Sequence, residues 1–330
     1  MSLRVLIADR FSAPALLKLK TTPDIEVTHT LEPTPEELRA AEALVVRVRT
    51  KIDKAFLDRA PNLKFLVTAT SGFDHIDVEE AHARGIQVCF APEGNVHSAA
   101  ELTWGLVIAA ARKLPQAVRM LERGEWDRER VRGHELYGKT YGIIGLGRIG
   151  SRVSAMARAF GMQVLAFDPY VSQERFTELG CERLGMKELL RSADFLSLHV
   201  PLTPETHHFI NSKTLELMSD HAWLINTSRG PVISEQELAI ALDEGWIAGC
   251  ALDVYEQEPL SVKSALRKRD NVVLSPHCGG NTHEAFERSS QAAADKVIAF
   301  AAGQKASGFV LDEAWYAAQR LNQGFRLSLD

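Results

Sequence analysis

The sequence has few cysteines, and their spacing matches neither a typical zinc site nor a redox pair. Its 330 residues include four cysteines, and no two of them form a C-x-x-C pair. This spacing predicts neither a zinc site nor a redox dithiol, so we expect no metal. Each thiol is expected to pack as a small apolar residue in a reducing compartment. The four residues are Cys89, Cys181, Cys250 and Cys278.

Long apolar runs are also absent. The run near the N-terminus, in MSLRVLIADR, covers about five residues, which is too short for the apolar core of a signal peptide. The stretch from Ala99 to Ala111 comes closest to the ~18 residues that span a bilayer, but Glu101 interrupts it. We therefore expect a soluble, cytoplasmic protein with no membrane partner.

The chain has no excess of positive charge. Lys and Arg number 38 against 43 Asp and Glu, which gives a formal net charge of −5. A slightly acidic chain is a poor candidate for non-specific nucleic-acid binding, although a local basic patch stays possible. Hydrophobic residues make up 45%, enough for a sizeable core, and this excludes a disordered chain. At about 150 residues per domain, the length predicts two domains.

Short apolar runs alternate with helix-like segments in two series. This alternation predicts an α/β fold with parallel sheets that helices cover on both faces. In the first series, strands are predicted at 5–8, 44–46, 65–67 and 86–89, with helices at 14–20, 35–43, 53–59 and 78–84. In the second, strands are predicted at 141–144, 164–167, 195–198, 223–226, 249–252 and 272–274.

Two helices and a tail complete the predicted organisation. A long helix from Asn95 to Arg112 is broken at Pro115, and a shorter helix follows it to Arg123. The final helix, Glu284 to Ala301, has no strand after it, so we expect it to pack on the first unit. The predicted domains are residues 1–94, residues 95–281, and residues 282–330 returning to the first.

A glycine-rich loop follows the first strand of the second series. Its residues, Gly145-Leu146-Gly147-Arg148-Ile149-Gly150, fit G-x-G-x-x-G between a strand and a helix. In that context Gly145 allows a tight turn, Gly147 lets a pyrophosphate approach the backbone, and Gly150 lets the helix pack closely. The backbone N–H groups at the helix start would then face the phosphates. The alternative is a glycine-rich turn in a domain that binds no nucleotide.

Asp168 ends the next predicted strand, 18 residues after Gly150. This is close to the spacing of the acidic residue that accepts hydrogen bonds from the adenosine ribose. A carboxylate there would repel a 2′-phosphate, so the sequence predicts NAD rather than NADP as cofactor. The alternative is that Asp168 only caps the turn before Pro169.

Two further strand ends carry side chains suited to acid chemistry. Arg229 follows the strand 223–226, and its planar fork can hold a carboxylate with two hydrogen bonds. His277 follows the strand 272–274 and could shuttle a proton, with a neighbouring carboxylate raising its pKa. The alternatives are a surface arginine and a histidine without a catalytic role. The pair His207-His208 is interpreted as solvated or structural.

A basic segment follows the strand 44–46 in the first series. Alternation places Arg47 and Arg49 on one face, where they could bind a second anionic group such as a phosphate. The alternative is a solvated basic loop that also includes Lys51.

Several motifs occur together in one order along the chain. They are Thr70-Ser71-Gly72-Phe73-Asp74-His75-Ile76-Asp77, Asn95 to Thr103, the glycine loop, Asn226-Thr227-Ser228-Arg229-Gly230, Ala251-Leu252-Asp253-Val254-Tyr255 with Glu258-Pro259, and Ser275-Pro276-His277. In this combination the chain resembles the D-2-hydroxyacid dehydrogenase family over nearly its whole length. The resemblance implies a Rossmann NAD-binding domain inserted in a flavodoxin-like substrate domain, and a homodimer built on the NAD-binding domain.

The resemblance also implies a role for each matching residue. Arg229, Glu258 and His277 would be the catalytic set, acting on a small anionic 2-hydroxy or 2-oxo acid. The implied substrate contacts are Arg47, Arg49, Ser71, Gly72, Arg229 and His277. The implied NAD contacts are Ser71, Gly145, Gly147, Arg148, Ile149, Gly150, Asp168, Val200, Thr227, Ser228, Arg229, Asp253, His277 and Gly280, with the backbone of Cys278-Gly279.

Within the family, the chain most resembles the 3-phosphoglycerate dehydrogenase branch without a regulatory domain. The resemblance lies in three segments, Ala100-Glu101-Leu102-Thr103, Gly138-Lys139-Thr140 and Arg47-Val48-Arg49-Thr50. Thr70 stands where a glycine is common, and Thr68 where some members of that branch carry a further arginine. The alternatives are a glyoxylate or hydroxypyruvate reductase and, from another class, an NAD-sensing corepressor. A formate dehydrogenase is less favoured, because that branch carries glutamine at the position of Glu258.

Overall fold

The computed structural model describes residues 2–304 of the chain. The chain divides into two compact units, the first formed by residues 2–96 with 280–304 and the second by residues 97–279. The predicted tail beyond residue 304 lies outside the described residues. Within the described part, no helix is long and apolar enough to cross a membrane.

The first unit is built on a five-stranded parallel sheet. The strand order is β2-β1-β3-β4-β5, the flavodoxin-like order. Most of its central positions are buried on both faces, as expected where helices cover a parallel sheet. The strands are β1 (Leu3–Ile7), β2 (Ile25–His29), β3 (Ala43–Val46), β4 (Phe65–Thr68) and β5 (Gln87–Phe90).

Five helices belong to this unit, and one of them comes from the end of the described chain. The helices are α1 (Ala13–Thr21), α2 (Pro35–Ala40), α3 (Lys54–Asp58), α4 (Val78–Ala83) and α12 (His283–Ala301). Ala293, Ala294 and Val297 of α12 pack in one buried cluster with Val5 and Phe65 of the sheet. The last described helix therefore forms part of the core of the first unit.

The second unit contains a seven-stranded parallel sheet. Its order is β12-β11-β10-β9-β6-β7-β8, which is the 3-2-1-4-5-6 Rossmann order with one more strand at an edge. The order reverses between β6 and β9, and ligands of such sheets bind at the carboxyl ends of the strands near that point. The strands are β6 (Thr140–Ile144), β7 (Gln163–Phe167), β8 (Glu182–Arg183), β9 (Phe195–Leu198), β10 (Trp223–Asn226), β11 (Gly249–Leu252) and β12 (Val272–Leu274).

The helices of the second unit begin with a long one that is followed by a break. The break lies at Lys113, whose φ is +50°, and not at Pro115 as predicted. Pro115 instead occupies the first turn of the next helix, where its missing N–H leaves no hydrogen bond unmade. The helices are α5 (Val96–Ala111), α6 (Leu114–Glu122), α7 (Arg148–Ala159), α8 (Gln173–Leu179), α9 (Met186–Ser192), α10 (Ser212–Leu215) and α11 (Glu235–Glu244), with a 3-10 turn at Gly230–Val232.

These two sheets confirm the predicted fold class of two parallel α/β domains. Both are parallel throughout, with every strand pair in the same direction. In the second unit, the loops that follow β6, β7, β10, β11 and β12 all emerge at the carboxyl edge of one sheet. That edge carries most of the residues singled out by the sequence.

Candidate active site

The glycine loop joins β6 to α7 at the point where the strand order reverses. Gly145 has φ +95°, and a Cβ there would lie 2.5 Å from the His199 carbonyl oxygen. A Cβ on Gly150 would lie 2.0 Å from the Gly145 carbonyl oxygen, so the loop's own packing requires both glycines. A Cβ on Gly147 would meet no atom within 4 Å. The loop is therefore open at the N-terminus of α7, where a pyrophosphate would fit.

Asp168 follows β7 and its carboxylate lies against this loop. Its Oδ2 accepts a hydrogen bond from the Leu146 N–H at 2.8 Å, and its Oδ1 accepts one from the Tyr170 N–H at 2.9 Å. Asp168 thus caps the following turn and also contacts the glycine loop. Each carboxylate oxygen can accept a further hydrogen bond, as a ribose diol requires. These residues fit a dinucleotide.

Arg229 lies in a loop after β10 that a buried asparagine holds in place. The Oδ1 of Asn226 accepts hydrogen bonds from the Ser228 N–H at 2.9 Å and the Ser228 hydroxyl at 2.7 Å. Its Nδ2 donates to the Arg229 carbonyl at 2.9 Å. Asn226 is fully buried, so these bonds fix the backbone on which Arg229 stands. The Arg229 Nη1 donates to the Ser228 carbonyl at 2.7 Å.

Thr227 links this loop to α5. The Thr103 hydroxyl donates to the Ala99 carbonyl at 2.7 Å and lies 2.7 Å from the Thr227 hydroxyl. Because the single hydroxyl proton of Thr103 is used on Ala99, Thr227 is the donor between the two threonines. The hydrogen bond to Thr103 therefore attaches the loop that contains Thr227 and Arg229 to α5, within the second unit.

His277 and Glu258 form a hydrogen-bonded pair. The Nδ1 of His277 lies 2.6 Å from the Oε2 of Glu258. This hydrogen bond raises the pKa of His277 above its usual 6.5, against partial desolvation and the charge of Arg229, which lower it. Partial burial raises the pKa of Glu258, but the hydrogen bond and charge of His277 outweigh that effect and leave it lowered. The pair is thus biased towards imidazolium and carboxylate.

Asp253 organises the loop that carries His277. Its side chain is 1% exposed. It accepts hydrogen bonds from the Ser275 hydroxyl at 2.6 Å, the Cys278 N–H at 2.9 Å and the Gly279 N–H at 2.8 Å. The Asp253 carbonyl also accepts the His277 N–H at 2.8 Å. The observed contacts of Asp253 therefore fix the segment that carries His277; the implied contact of Asp253 with NAD remains a prediction.

Gly230 brings the Arg229 loop against the Glu258 loop. A Cβ on Gly230 would lie 1.9 Å from both the carbonyl carbon and the carbonyl oxygen of Tyr255. Any other residue would push the two backbones apart. Within the second unit, the structure thus brings Arg229, Glu258 and His277 to one edge of the sheet.

The remaining predicted contacts of the second unit lie around the glycine loop. Arg148 is exposed in the first turn of α7, Ile149 is half-buried behind it, and Val200 is half-buried after β9. All three are placed where they can contribute to a nucleotide site, and their contacts with NAD remain predictions.

Five predicted residues belong to the first unit: Arg47, Arg49, Ser71, Gly72 and Gly280. The Arg47 guanidinium carbon lies 5.0 Å from the centre of the Phe286 ring, and burial lowers the pKa of Arg47 while the charge of Asp9 raises it. Arg49 is exposed. The Thr70 hydroxyl donates to the Gly72 carbonyl at 2.7 Å, which shapes the loop containing Ser71. The roles of these five residues stay predictions.

Three structural residues of the site were not predicted. Asn226 ends β10 and forms an Asx turn, which an Asn at a strand end followed by Ser could have indicated. Glu235 and Glu256 lie 21 residues apart and bond each other's backbone, and no local pattern indicates that contact. Among residues 2–304, no group of three or more His, Cys, Asp or Glu side chains is arranged to hold a metal ion.

Comparison with known proteins identifies the family. A model described as "D-isomer specific 2-hydroxyacid dehydrogenase, NAD binding domain" matches residues 104–279. The D-3-phosphoglycerate dehydrogenase of Methanocaldococcus jannaschii is 42% identical over 310 residues, or 93% of this chain, which spans 59% of that relative. The glyoxylate reductase of Thermococcus litoralis is 44% identical over 276 residues, covering 82% of this chain and 83% of the relative.

Solved structures support the same family assignment. The crystal structure of D-lactate dehydrogenase from Aquifex aeolicus, complexed with NAD and lactic acid, has a TM-score of 0.82 with this chain. It is 32% identical, over 93% of this chain and 98% of that one. The match to an NAD-binding domain confirms the cofactor predicted from the glycine loop and Asp168. On sequence and on structure, the chain belongs to the D-isomer specific 2-hydroxyacid dehydrogenases.

Proposed function

We propose that the protein interconverts a small 2-oxo acid and its D-2-hydroxy acid with NADH and NAD. The observation that carries this proposal is the 2.6 Å contact between His277 and Glu258 at the carboxyl edge of the nucleotide-binding sheet. The charge of the nearby Arg229 acts on both members of the pair. A cation beside a protonated imidazole is the arrangement that a carboxylate next to a reacting carbonyl requires.

Each side chain has a defined task in the proposed reduction. Arg229 binds the substrate carboxylate through its fork and withdraws electron density from the 2-oxo group. NADH, when bound, supplies the hydride. His277, held protonated by Glu258, donates its Nε2 proton to the carbonyl oxygen, which becomes the hydroxyl. In the oxidative direction, neutral His277 accepts that proton.

The test is NADH oxidation with a panel of 2-oxo acids, phosphorylated and not. We expect turnover with at least one member, and chiral analysis should identify the product as the D-hydroxy acid. Absence of turnover with the whole panel, together with tight NADH binding, would contradict the proposal and favour an NAD-sensing binding protein.

Asp168 should set the choice between NAD and NADP. Replacing it with serine removes a charged acceptor for the ribose hydroxyls and relieves repulsion of a 2′-phosphate. The NAD/NADP ratio of kcat/KM should fall about 10- to 100-fold, since a hydrogen bond to a charged group contributes about 1.5–3 kcal/mol. Glu174→Ser, on the exposed surface of α8, is the control and should leave the ratio unchanged. An unchanged ratio in Asp168→Ser would reduce Asp168 to a turn residue.

The substrate class depends on the cations of the first unit. A phosphorylated 2-oxo acid needs a second cation besides Arg229. Arg47 stacks on Phe286 with Asp9 balancing its charge, and Lys51 lies 3.8 Å from the carboxylate of Asp53. Of these residues, the exposed Arg49 is the one that we propose binds a phosphate, and Arg47 can contribute because its Nη1 is buried without a hydrogen-bond partner among residues 2–304. We propose phosphohydroxypyruvate as the substrate on that basis.

The proposed phosphate contact can be measured directly. Arg49→Ala should raise KM for phosphohydroxypyruvate about 10- to 100-fold, the effect of losing a charged hydrogen bond, and leave KM for glyoxylate within about twofold. Arg39→Ala, which removes an exposed arginine of α2 in the same unit, is the control. Equal effects of Arg49→Ala on the two substrates would exclude the phosphate contact.

Glyoxylate is the second candidate substrate. Thr68, where a further arginine would serve a phosphate, instead lies 2.7 Å from the Thr70 hydroxyl and 3.2 Å from the His75 ring. A glyoxylate kcat/KM that exceeds the phosphohydroxypyruvate value would select this candidate.

We also propose that the protein is a homodimer through its NAD-binding unit. Leu114, Val118 and Leu121 of α6 are 46%, 56% and 59% exposed, and their spacing puts them on one helix face. Trp126, just after the helix, is 80% exposed. An apolar stripe of this kind is typical of a protein interface. Light scattering should give twice the chain mass of 36.5 kDa; a monomer at micromolar concentration would contradict the proposal.

A reducing, cytoplasmic location is proposed from the cysteines. All four are free, and three of them, Cys89, Cys181 and Cys250, are buried. Proteins of oxidising compartments more often pair their cysteines. Imaging of the full-length protein in its own cells, fused at the C-terminus to a fluorescent domain, would test the location; signal confined to an oxidising compartment would contradict it.

A further inference from the structure

The loop that carries Glu258 is held from outside the catalytic set by a reciprocal pair of carboxylates. The Glu235 N–H, at the start of α11, donates to the Oε1 of Glu256 at 2.7 Å. The Glu256 N–H donates in turn to the Oε1 of Glu235 at 2.5 Å. Each side chain thus caps the backbone of the other, and the four atoms join the first turn of α11 to the loop after β11. We call this arrangement the Glu235–Glu256 clamp.

A third segment contacts the clamp. The Nε2 of His208 lies 3.2 Å from the Oε1 of Glu256. The His208 backbone has φ +50°, and its N–H donates to the Pro231 carbonyl at 2.8 Å. A non-glycine residue in that left-handed conformation is held there by its surroundings. His208 therefore ties the loop after β9 to Glu256 and to the Gly230–Val232 turn that precedes α11, a contact that the sequence did not predict.

The clamp is two residues from the catalytic carboxylate. The Tyr255 N–H donates to the Oε1 of Glu258 at 3.1 Å, which leaves the Oε2 of Glu258 to contact His277. The Tyr255 hydroxyl donates to the Ser275 carbonyl at 2.7 Å, in the segment that precedes His277. A shift of the Tyr255–Glu256 backbone would therefore displace both partners of the catalytic hydrogen bond.

We propose that Glu235 and Glu256 are positioning residues that keep Glu258 in hydrogen-bond contact with His277. The inference rests on the proposed function in one respect, that His277 is the proton donor. Neither clamp residue touches the reacting atoms; both act through the backbone of residues 255–258. The side-chain oxygen of each clamp residue, and not its charge, is what the geometry requires.

The charges around the clamp support a role for the accepting oxygens rather than for the negative charges of Glu235 and Glu256. Burial raises the pKa of Glu235, and the charges of Glu256 and Glu258 add to that rise, while the hydrogen bond from the Glu256 N–H lowers the pKa without reversing the net increase. The groups that face Glu256 are Glu235 and His208, and those that face Glu235 are Glu256, Glu258 and the Tyr255 and Cys250 side chains. Two carboxylates so close together repel each other, so their charges do not stabilise the pair. The hydrogen bonds to the two backbone N–H groups are what join them. A glutamine in either position keeps an accepting oxygen without the charge.

The decisive experiment is an NMR titration of the His277 imidazole in the full-length chain, assigned by comparison with His277→Asn. In Glu256→Ala and in Glu235→Ala we expect the pKa of His277 to fall from its raised value towards the usual 6.5. Glu256→Gln and Glu235→Gln should keep the wild-type value, because the oxygen that accepts the backbone N–H is retained. Glu244→Ala is the matched control: its carboxylate lies exposed at the other end of α11 and accepts a hydrogen bond from the Trp246 ring N–H at 3.2 Å.

Kinetics supply the second measurement. The alanine variants should lower kcat about 10- to 100-fold, because displacing a reacting group by ~1 Å can cost about 10²-fold, with KM nearly unchanged. In these variants, the alkaline limb of the pH–rate profile for reduction should move to lower pH. The kcat of the double alanine variant should be no lower than that of either single variant. A purely structural role would lower thermal stability without moving the limb.

Two results would overturn the proposal. One is an unchanged His277 titration in both alanine variants; the other is an equal shift in the alanine and glutamine variants, which would make the effect one of charge. If Glu256→Ala does not fold, Glu235→Ala tests the same contact from the helix side. The titration needs no turnover. If the wild-type protein were inactive on every 2-oxo acid, the proposed function would be contradicted, but the His277 titration would still test the role of the clamp.

Discussion

Arg229→Ala is expected to lower kcat/KM about 10²- to 5 × 10³-fold. The substrate carboxylate loses a charged partner that binds it with two hydrogen bonds, and removing one member of a buried charge pair costs about 3–5 kcal/mol. Asn226 fixes the backbone of this loop through its own hydrogen bonds, so the substitution should leave the surrounding fold in place. Steady-state kinetics with NADH and the best 2-oxo acid measure the effect.

Arg229→Lys is the companion variant. An ammonium keeps the charge but cannot make the fork, so kcat/KM should recover only in part. The charge of Arg229 lowers the pKa of His277, so the alkaline limb should move to higher pH in Arg229→Ala and stay near its wild-type position in Arg229→Lys. If Arg229→Ala retained a kcat/KM within about threefold of the wild type, far below the ~3 kcal/mol expected, Arg229 would not hold the carboxylate.

His277→Asn should lower the reductive kcat about 10²- to 10⁴-fold, the usual contribution of a general acid. Asparagine is, among residues other than glycine, one that tolerates the φ of +50° at this position, and it keeps a polar side chain there. The variant should also lose the alkaline limb of the pH–rate profile, since its side chain does not titrate. Retention of that limb would assign it to another group.

Glu258→Gln tests how the pKa of His277 is set. Loss of the Glu258 charge and weakening of its hydrogen bond should lower that pKa. Reduction needs the imidazolium, so its activity is full below the pKa and falls as the pH rises through it; the fall should begin at lower pH in the variant. Oxidation needs neutral imidazole, so its acid limb should move in the same direction. Identical pH–rate profiles for Glu258→Gln and the wild type would show that Glu258 does not set the pKa of His277.

The central strands could be predicted because they are apolar along their whole length. Strands such as β9 and β10, buried at every position, differ sharply from the polar loops around them. The edge strands β2 and β8 were missed for the opposite reason. β2 has no fully buried residue, and both residues of β8, Glu182 and Arg183, are exposed. Their pairing depends on the neighbouring strand rather than on their own hydrophobicity.

The catalytic residues could be located because parallel strands end at one edge. Arg229 and His277 each follow a predicted strand, and that rule alone placed them together. The rule could not predict which face of the backbone each side chain occupies. Strand alternation predicted Arg47 and Arg49 as an anion site, which stays a prediction, but it could not show that Arg47 also packs on Phe286 from a distant part of the chain. Such contacts depend on tertiary packing that no local pattern contains.

The path of the chain through the two units has a consequence for the order of folding. Residues 97–279 are continuous in sequence, whereas the first unit needs α12, whose Phe300 stacks on Phe65 of β4 at 4.5 Å. During synthesis, the second unit leaves the ribosome before α12 does, because α12 follows it in the sequence. Until then, one face of the β1–β5 sheet has no helix α12 to cover it, and such exposed apolar surface favours aggregation. We therefore expect premature termination before His283 to harm the first unit far more than the nucleotide-binding unit, and chaperones to bind nascent chains at that uncovered face.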